Sequence, residues 1–296
     1  MTRSAPPAGE GRQPQASDTV TVAACQLAPS MGEPARNLES VLRAADHAVE
    51  GGARLLVFPE LATSGYAFVD REEAGRLAEH RDGATLTRLA EAARDRGLVL
   101  VAGFPELGDD GGLYNSAVLI DPTGVRAVYR KVHLWDRETE IFTPGEEPPP
   151  VVDTPAGRVG VVICYDLEFP EWVRLAALDG AEIVCAPTNW PAEPRPGGER
   201  PIEVVRAQAS ASVNHIFIAV ADRTRAERGI DWVSGSVVVA PDGFPLATAS
   251  PEAGEQTLLA DCRLADARDK RVSPRNDVLA DRRPDLYRRV SRSGQR

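Results

Sequence analysis

Short, nearly all-apolar runs recur along this chain, with helix-patterned stretches between them. Residues 19–25 (TVTVAAC) are β-branched and strand-like. Residues 37–50 place Leu38, Val41, Leu42, Ala45 and Val49 at helical spacing, and Gly51-Gly52 ends that pattern. Residues 54–58 (RLLVF) predict a buried strand, 85–96 a second amphipathic helix, and 98–103 a further strand. Residues 116–120 and 125–129 flank Asp-Pro-Thr-Gly, a hairpin turn signal. The second half repeats the style. Strands are predicted over 159–164, 183–186 and 216–221, and helices over 170–179 and 202–213. Residues 237–240 and 246–249 flank Pro-Asp-Gly, a second hairpin. Such alternation commits the chain to an α/β fold.

No linker divides it. Residues 145–150 and 191–201 read as loops inside one domain spanning 19–266. Residues 1–18, rich in Pro, Gly and polar side chains, read as an arm without structure of its own. Residues 267–296 are highly charged and weakly patterned, a tail expected to order when docked on a partner subunit.

Charge and cysteine usage narrow the function. The formal net charge is −10, which disfavours binding to nucleic acid or to an anionic membrane surface. No apolar run nears the roughly 20 residues needed to span a bilayer. The four cysteines, Cys25, Cys164, Cys185 and Cys262, form no CxxC pair. They signal neither zinc nor a disulfide framework and fit a reduced cytoplasm.

Three strand ends carry reactive groups, and ligands of α/β folds gather at such ends. RLLVF runs into Pro59-Glu60. The strand VRAVY runs through Arg130 into Lys131 and His133. VGVVI ends at Cys164, followed by Tyr165, Asp166 and a helix. A cysteine on a sharp strand-to-helix turn presents its sulfur, and the following backbone N–H groups can hold an oxyanion. At a free pKa of about 8.5 the thiol still needs a base. Glu60, if buried, has its pKa raised into the range of a general base. Lys131 would stabilise a thiolate and an oxyanion. His133 offers a rival Cys–His pairing, against the simpler reading of a packed histidine. Read one at a time, Cys164, Glu60 and Lys131 also fit an inert buried thiol, a loop carboxylate and a surface lysine.

Taken together, VFPELATSGY around Glu60, YRKVHLWDRETEIFTPG around Lys131 and GVVICYDLEFPEWVR around Cys164 resemble the nitrilase superfamily of carbon–nitrogen hydrolases. The likeness extends through APTNWP, ADRTRAERG and GSVVVAPDG, from about Val20 to Asp261. It implies a four-layer α-β-β-α sandwich and a homodimer or larger homo-oligomer, with no metal and no organic cofactor. It makes Glu60 the general base, Lys131 the oxyanion stabiliser and Cys164 the nucleophile. Glu138, seven residues after the lysine, would bond Lys131 or the substrate nitrogen. Tyr165-Asp166 after the cysteine is similar to the amidase-like branches, including the 5-aminopentanamidase type and other aliphatic amidases. Asp166 would tie down the turn.

Relatives acting on carboxylate-bearing substrates often carry Arg four residues after the cysteine. Here Glu168 stands there and would repel an anionic substrate, or else it complements the dipole of the helix that follows. Tyr66, Trp135, Tyr165, Asn189 and Trp190, with Phe142, are candidate pocket walls, and Trp172 a packing residue. The expected reaction is hydrolysis of a small neutral or cationic amide. Carbamoyl-amine hydrolysis is the alternative, and nitrile hydrolysis ranks below it. A soluble acyl transferase or a non-catalytic binding member would be a different class.

Overall fold

The computed structural model describes residues 18–287. Residues 1–17 of the expected arm and 288–296 of the tail lie outside them. The first half supplies β1 (Thr19–Gln26), α1 (Pro34–Glu50), β2 (Leu55–Val57), α2 (Arg71–Leu77), α3 (Ala84–Arg96), β3 (Val99–Leu107), β4 (Leu113–Asp121), β5 (Gly124–Arg130) and α4 (Glu138–Ile141). The second supplies β6 (Val151–Thr154), β7 (Gly157–Val161), α5 (Pro170–Leu178), β8 (Ile183–Pro187), α6 (Ile202–Asn214), β9 (Phe217–Ala221), β10 (Val237–Val239), β11 (Pro245–Thr248) and β12 (Gln256–Arg263).

Two six-stranded sheets result, ordered β12-β1-β2-β3-β4-β5 and β11-β10-β9-β8-β7-β6. Each has a parallel centre and antiparallel flanks: β1, β2 and β3 run parallel, as do β7, β8 and β9. Side-chain alternation assigns the layers. Val22, Ala24, Leu55, Val57 and Val101 share one core with Val159, Val161, Ile183 and Cys185 of the second sheet. Ala23, Cys25, Leu56 and Leu100 face the other way, onto Val41 and Ala45 of α1 and Leu86 and Leu89 of α3. On the far side, Val173 and Ala176 of α5 and Val204, Ala207 and Ala211 of α6 cover the second sheet. The expected α-β-β-α sandwich is present.

One local expectation is corrected. The strand predicted to run to Cys164 ends at Val161, with one further backbone bond from the Val162 N–H to the Cys185 carbonyl at 3.2 Å. Val162 and Ile163 stay fully buried, so the apolar run outlasts the ladder while the backbone already turns. The tail takes on short elements within a single chain: α7 (Leu264–Arg268), the hairpin β13 (Arg271–Ser273) and β14 (Asn276–Asp277), and α8 (Pro284–Tyr287). Arg268 pairs with Asp18 and Glu182, Lys270 Nζ donates to the His215 carbonyl at 2.8 Å, and Arg174 donates to the Val278 carbonyl at 3.3 Å. Its charges are therefore partly spent on the body of the same chain.

Candidate active site

The parallel centres of the two sheets point their carboxyl ends at one spot. Glu60 follows β2, Cys164 follows β7, Asn189 follows β8 and Asp222 follows β9. Lys131 arrives from β5, and Glu138 opens α4.

Glu60 is fully buried. Its Oε1 accepts from Lys131 Nζ at 2.7 Å and from Asn115 Nδ2 at 2.7 Å, while Oε2 is buried without a hydrogen-bond partner. Burial raises its pKa to about 7 against the pull of the Lys131 ammonium, and the nearby charge of Glu138 adds to the rise. Lys131 is equally buried and also donates to Glu138 Oε1 at 2.8 Å. Burial alone would neutralise the amine. The carboxylates of Glu138 and Glu60 outweigh it and hold the ammonium above the ordinary lysine range. Glu138 is pinned as well: Oε1 accepts from Tyr66 Oη at 2.6 Å and Oε2 from the Trp135 N–H at 3.1 Å.

Cys164 sits in the left-handed region at φ +46, the first residue of a 3-10 turn over Cys164–Glu168. Non-glycine residues rarely hold this conformation, and it re-aims the side chain away from the strand direction. Asp166 holds the turn. Its Oδ2 accepts from the Ile163 N–H at 2.9 Å and Tyr129 Oη at 2.7 Å, and its Oδ1 lies 2.6 Å from His133 Nδ1. His133 stacks on Phe169 with ring centroids 3.7 Å apart. It is thus the packed histidine rather than a partner of the thiol. Burial first, and then the Glu60 charge, push the Cys164 thiol well above its ordinary pKa, so the site rests as a thiol beside a base.

The pocket walls divide. Cys164 opens into a cavity of about 210 Å³ shared with Trp135, Tyr165, Glu168, Trp190 and Arg206. Tyr66, Glu138, Phe142 and Trp232 line a larger neighbouring space of about 800 Å³, which shares Trp135 and Tyr165 with the first. Asn189 is not among the residues lining either cavity. It is framework: Nδ2 donates to the Glu60 carbonyl at 2.8 Å, and its own carbonyl accepts a long bond from Cys164 Sγ at 3.9 Å. Glu168 is not the unpaired charge expected, because Arg206 of α6 donates to it at 2.6 Å. Trp172 is half-buried and donates to Tyr129 Oη at 2.8 Å.

Sequence reasoning missed Asn115, Asp222 and Arg206. Asp222 accepts from the N–H groups of Trp190, Arg223 and Gly235 and so fixes the loop after β8. Its signal was a carboxylate straight after an apolar strand, the same feature that marks Glu60.

With this geometry in place, the comparisons decide the family. Residues 21–272 match the model described as carbon–nitrogen hydrolase. The chain belongs to the carbon–nitrogen hydrolase family. This hydrolase is 38% identical over 271 residues to a nitrilase of Pyrococcus abyssi, covering 90% of this chain and 99% of that one. It is 38% identical over 219 residues to an (R)-stereoselective amidase of Pseudomonas sp., covering 74% and 76% of the two chains. A solved mutant of the amidase from Nesterenkonia sp. AN1 matches with TM-score 0.74 and 34% identity, over 95% of this chain and 99% of that one. That structure shows covalent addition of the acetamide moiety of fluoroacetamide at its active-site cysteine. The amidase-like side of the nitrilase superfamily, anticipated from the Tyr165-Asp166 pair, is where this hydrolase stands.

Proposed function

We propose that the protein hydrolyses the carbon–nitrogen bond of a small neutral or cationic amide, with Glu60, Lys131 and Cys164 as the catalytic triad. The observation carrying this is the buried Glu60–Lys131–Glu138 array, joined at 2.7 and 2.8 Å, on the strand ends that also deliver Cys164. Glu60 takes the thiol proton on its free Oε2, and Cys164 Sγ attacks the amide carbon. Lys131 Nζ and the Tyr165 N–H hold the oxyanion of the tetrahedral intermediate. As it collapses, protonated Glu60 gives its proton to the leaving nitrogen, and ammonia departs from a thioester. Water, deprotonated by Glu60, attacks the thioester carbon. The carboxylic acid leaves and the proton returns to sulfur. Glu138 holds Lys131 charged throughout.

Charge at the cavity supports the substrate class. Glu168, Glu193 and Glu203 face it with Arg206 as the cation beside them. Arg206 is already engaged by Glu168, which leaves the rim acidic. The test is ammonia release from matched amides with anionic, neutral and cationic tails, run beside Cys164→Ala. Preference for the anionic tail overturns the substrate class, and turnover by Cys164→Ala overturns the triad.

We further propose a cytoplasmic homodimer or larger homo-oligomer. Four cysteines standing as free thiols support a reducing location, and Leu175, Leu178 and Val213, exposed on α5 and α6, support a contact there. Among the described residues no helix is long and apolar enough to cross a membrane.

A further inference from the structure

Among the described residues, one Arg–Glu pair outside the triad has both side chains buried and is not used by the mechanism above. Arg223 and Glu227 lie in the loop after β9, joined at 2.9 Å, with side chains 2% and 6% exposed. Burying such a pair costs desolvation, so its presence asks for a use other than stability. Two Arg223 nitrogens, Nε and Nη1, have no hydrogen-bond partner, and its guanidinium lies 4.7 Å from the Trp232 ring centre. Glu227 Oε1 takes the arginine, while Oε2 accepts from the backbone N–H groups of Tyr66 at 2.9 Å and Ala67 at 2.7 Å. Trp232 meets the Tyr66 ring edge-on at 5.4 Å. Gly65 completes the fit: at φ +86, any Cβ there would stand 2.8 Å from Glu227 Oε1 and 2.7 Å from Met31 Cα.

Both arms of the pair therefore converge on Tyr66. The Tyr66 hydroxyl donates at 2.6 Å to Glu138 Oε1, the same oxygen that accepts from Lys131 at 2.8 Å. We infer that Arg223 and Glu227 are positioning residues that act through Tyr66. By clamping its backbone and ring they aim the hydroxyl at Glu138 and so set how Lys131 is shared between Glu138, Glu60 and the oxyanion. The inference rests on the triad assigned above. With the Tyr66 donor lost, Glu138 draws more of the shared Lys131 ammonium away from Glu60, which then holds its proton more tightly.

The experiment uses two readouts on the full chain. One is turnover of the best amide from the panel. The other needs no substrate: the pH dependence of Cys164 alkylation by iodoacetamide, followed by intact mass. The variants are Tyr66→Phe, Glu227→Gln and their combination. Each single change is expected to lower kcat by about 10- to 100-fold with KM little altered, the scale of a misplaced catalytic group. Each also moves the acid limb of both profiles to higher pH. The combined variant is expected to be no worse than Tyr66→Phe alone, because the two act in series. Multiplicative losses, or an unmoved acid limb, overturn the inference. If Glu227→Gln does not fold, the neutral pair Arg223→Met/Glu227→Gln replaces it under the same criteria. An alkylation profile that shifts as expected in a protein turning over no amide would refute the amidase reading and keep the clamp. Turnover with unshifted profiles would do the reverse.

Discussion

Glu60 concentrates the chemistry, and its environment makes its titration an observable. It must be ionised to take the thiol proton, and its pKa is raised to about 7. The acid limb of kcat/KM is therefore expected near pH 7, with activity falling as pH drops, as a rate profile on any good amide will show. Stability should move the opposite way. The native state takes up a proton on Glu60 between its ordinary 4.5 and about 7, so this group favours folding most at the acid end and less as pH rises through that window. Thermal melts of wild type and Glu60→Gln across the window test this: the variant should lose that part of the slope. Cys164→Ala should lower turnover by at least about 1,000-fold, as loss of a covalent nucleophile does, with an unchanged circular dichroism spectrum. These residues were legible because a carboxylate, a lysine and a thiol each closed an apolar strand. Asn115 was not, since one amide inside the strand LYNSAVLID carries no spacing signal. Arg206 was not, because an arginine on an amphipathic helix reads as solvated surface until the fold turns it toward Glu168.

Elements hold these groups by close approach rather than by flexibility. β3 passes so near the Glu60 turn that a Cβ on Gly103 would overlap the Leu61 nitrogen and stand 2.6 Å from Glu60 Cα. Gly103→Ala is therefore expected to cost about 1–3 kcal/mol in urea unfolding, the usual price of overpacking, and to reduce turnover more than its stability loss explains. The long apolar-periodic elements α1, α3, β3 and α6 were readable, since period and burial coincide in them. The short α2 and α4, and the edge strands β6 and β12, were not. In β12 the buried residues are Ala260 and Cys262, while the more apolar Leu259 beside them is exposed, so hydropathy alone does not mark the buried face. The end of β7 was misplaced for the opposite reason: burial continues to Cys164, although after Val162 the backbone leaves β8 and the Ile163 N–H turns to Asp166.

At the scale of the molecule, Leu175, Leu178 and Val213 line an open groove with Val278 and Tyr287. Our proposal of a homo-oligomer predicts that the wild type sediments as a dimer or larger. Leu175→Glu/Leu178→Glu should sediment as a monomer, and a monomeric wild type would refute the proposal. The sheet order carries a different consequence. β12 pairs with β1 along its length, from Thr19 opposite Arg263 to Gln26 opposite Gln256. Among the described residues, the earliest strand of the sandwich is thus completed by its last. Until that segment emerges, β1 has an open edge, the kind of surface that recruits other chains. Final closure has a long loop to close, so folding should be slow, and nascent chains ending before residue 256 should depend on protection from aggregation.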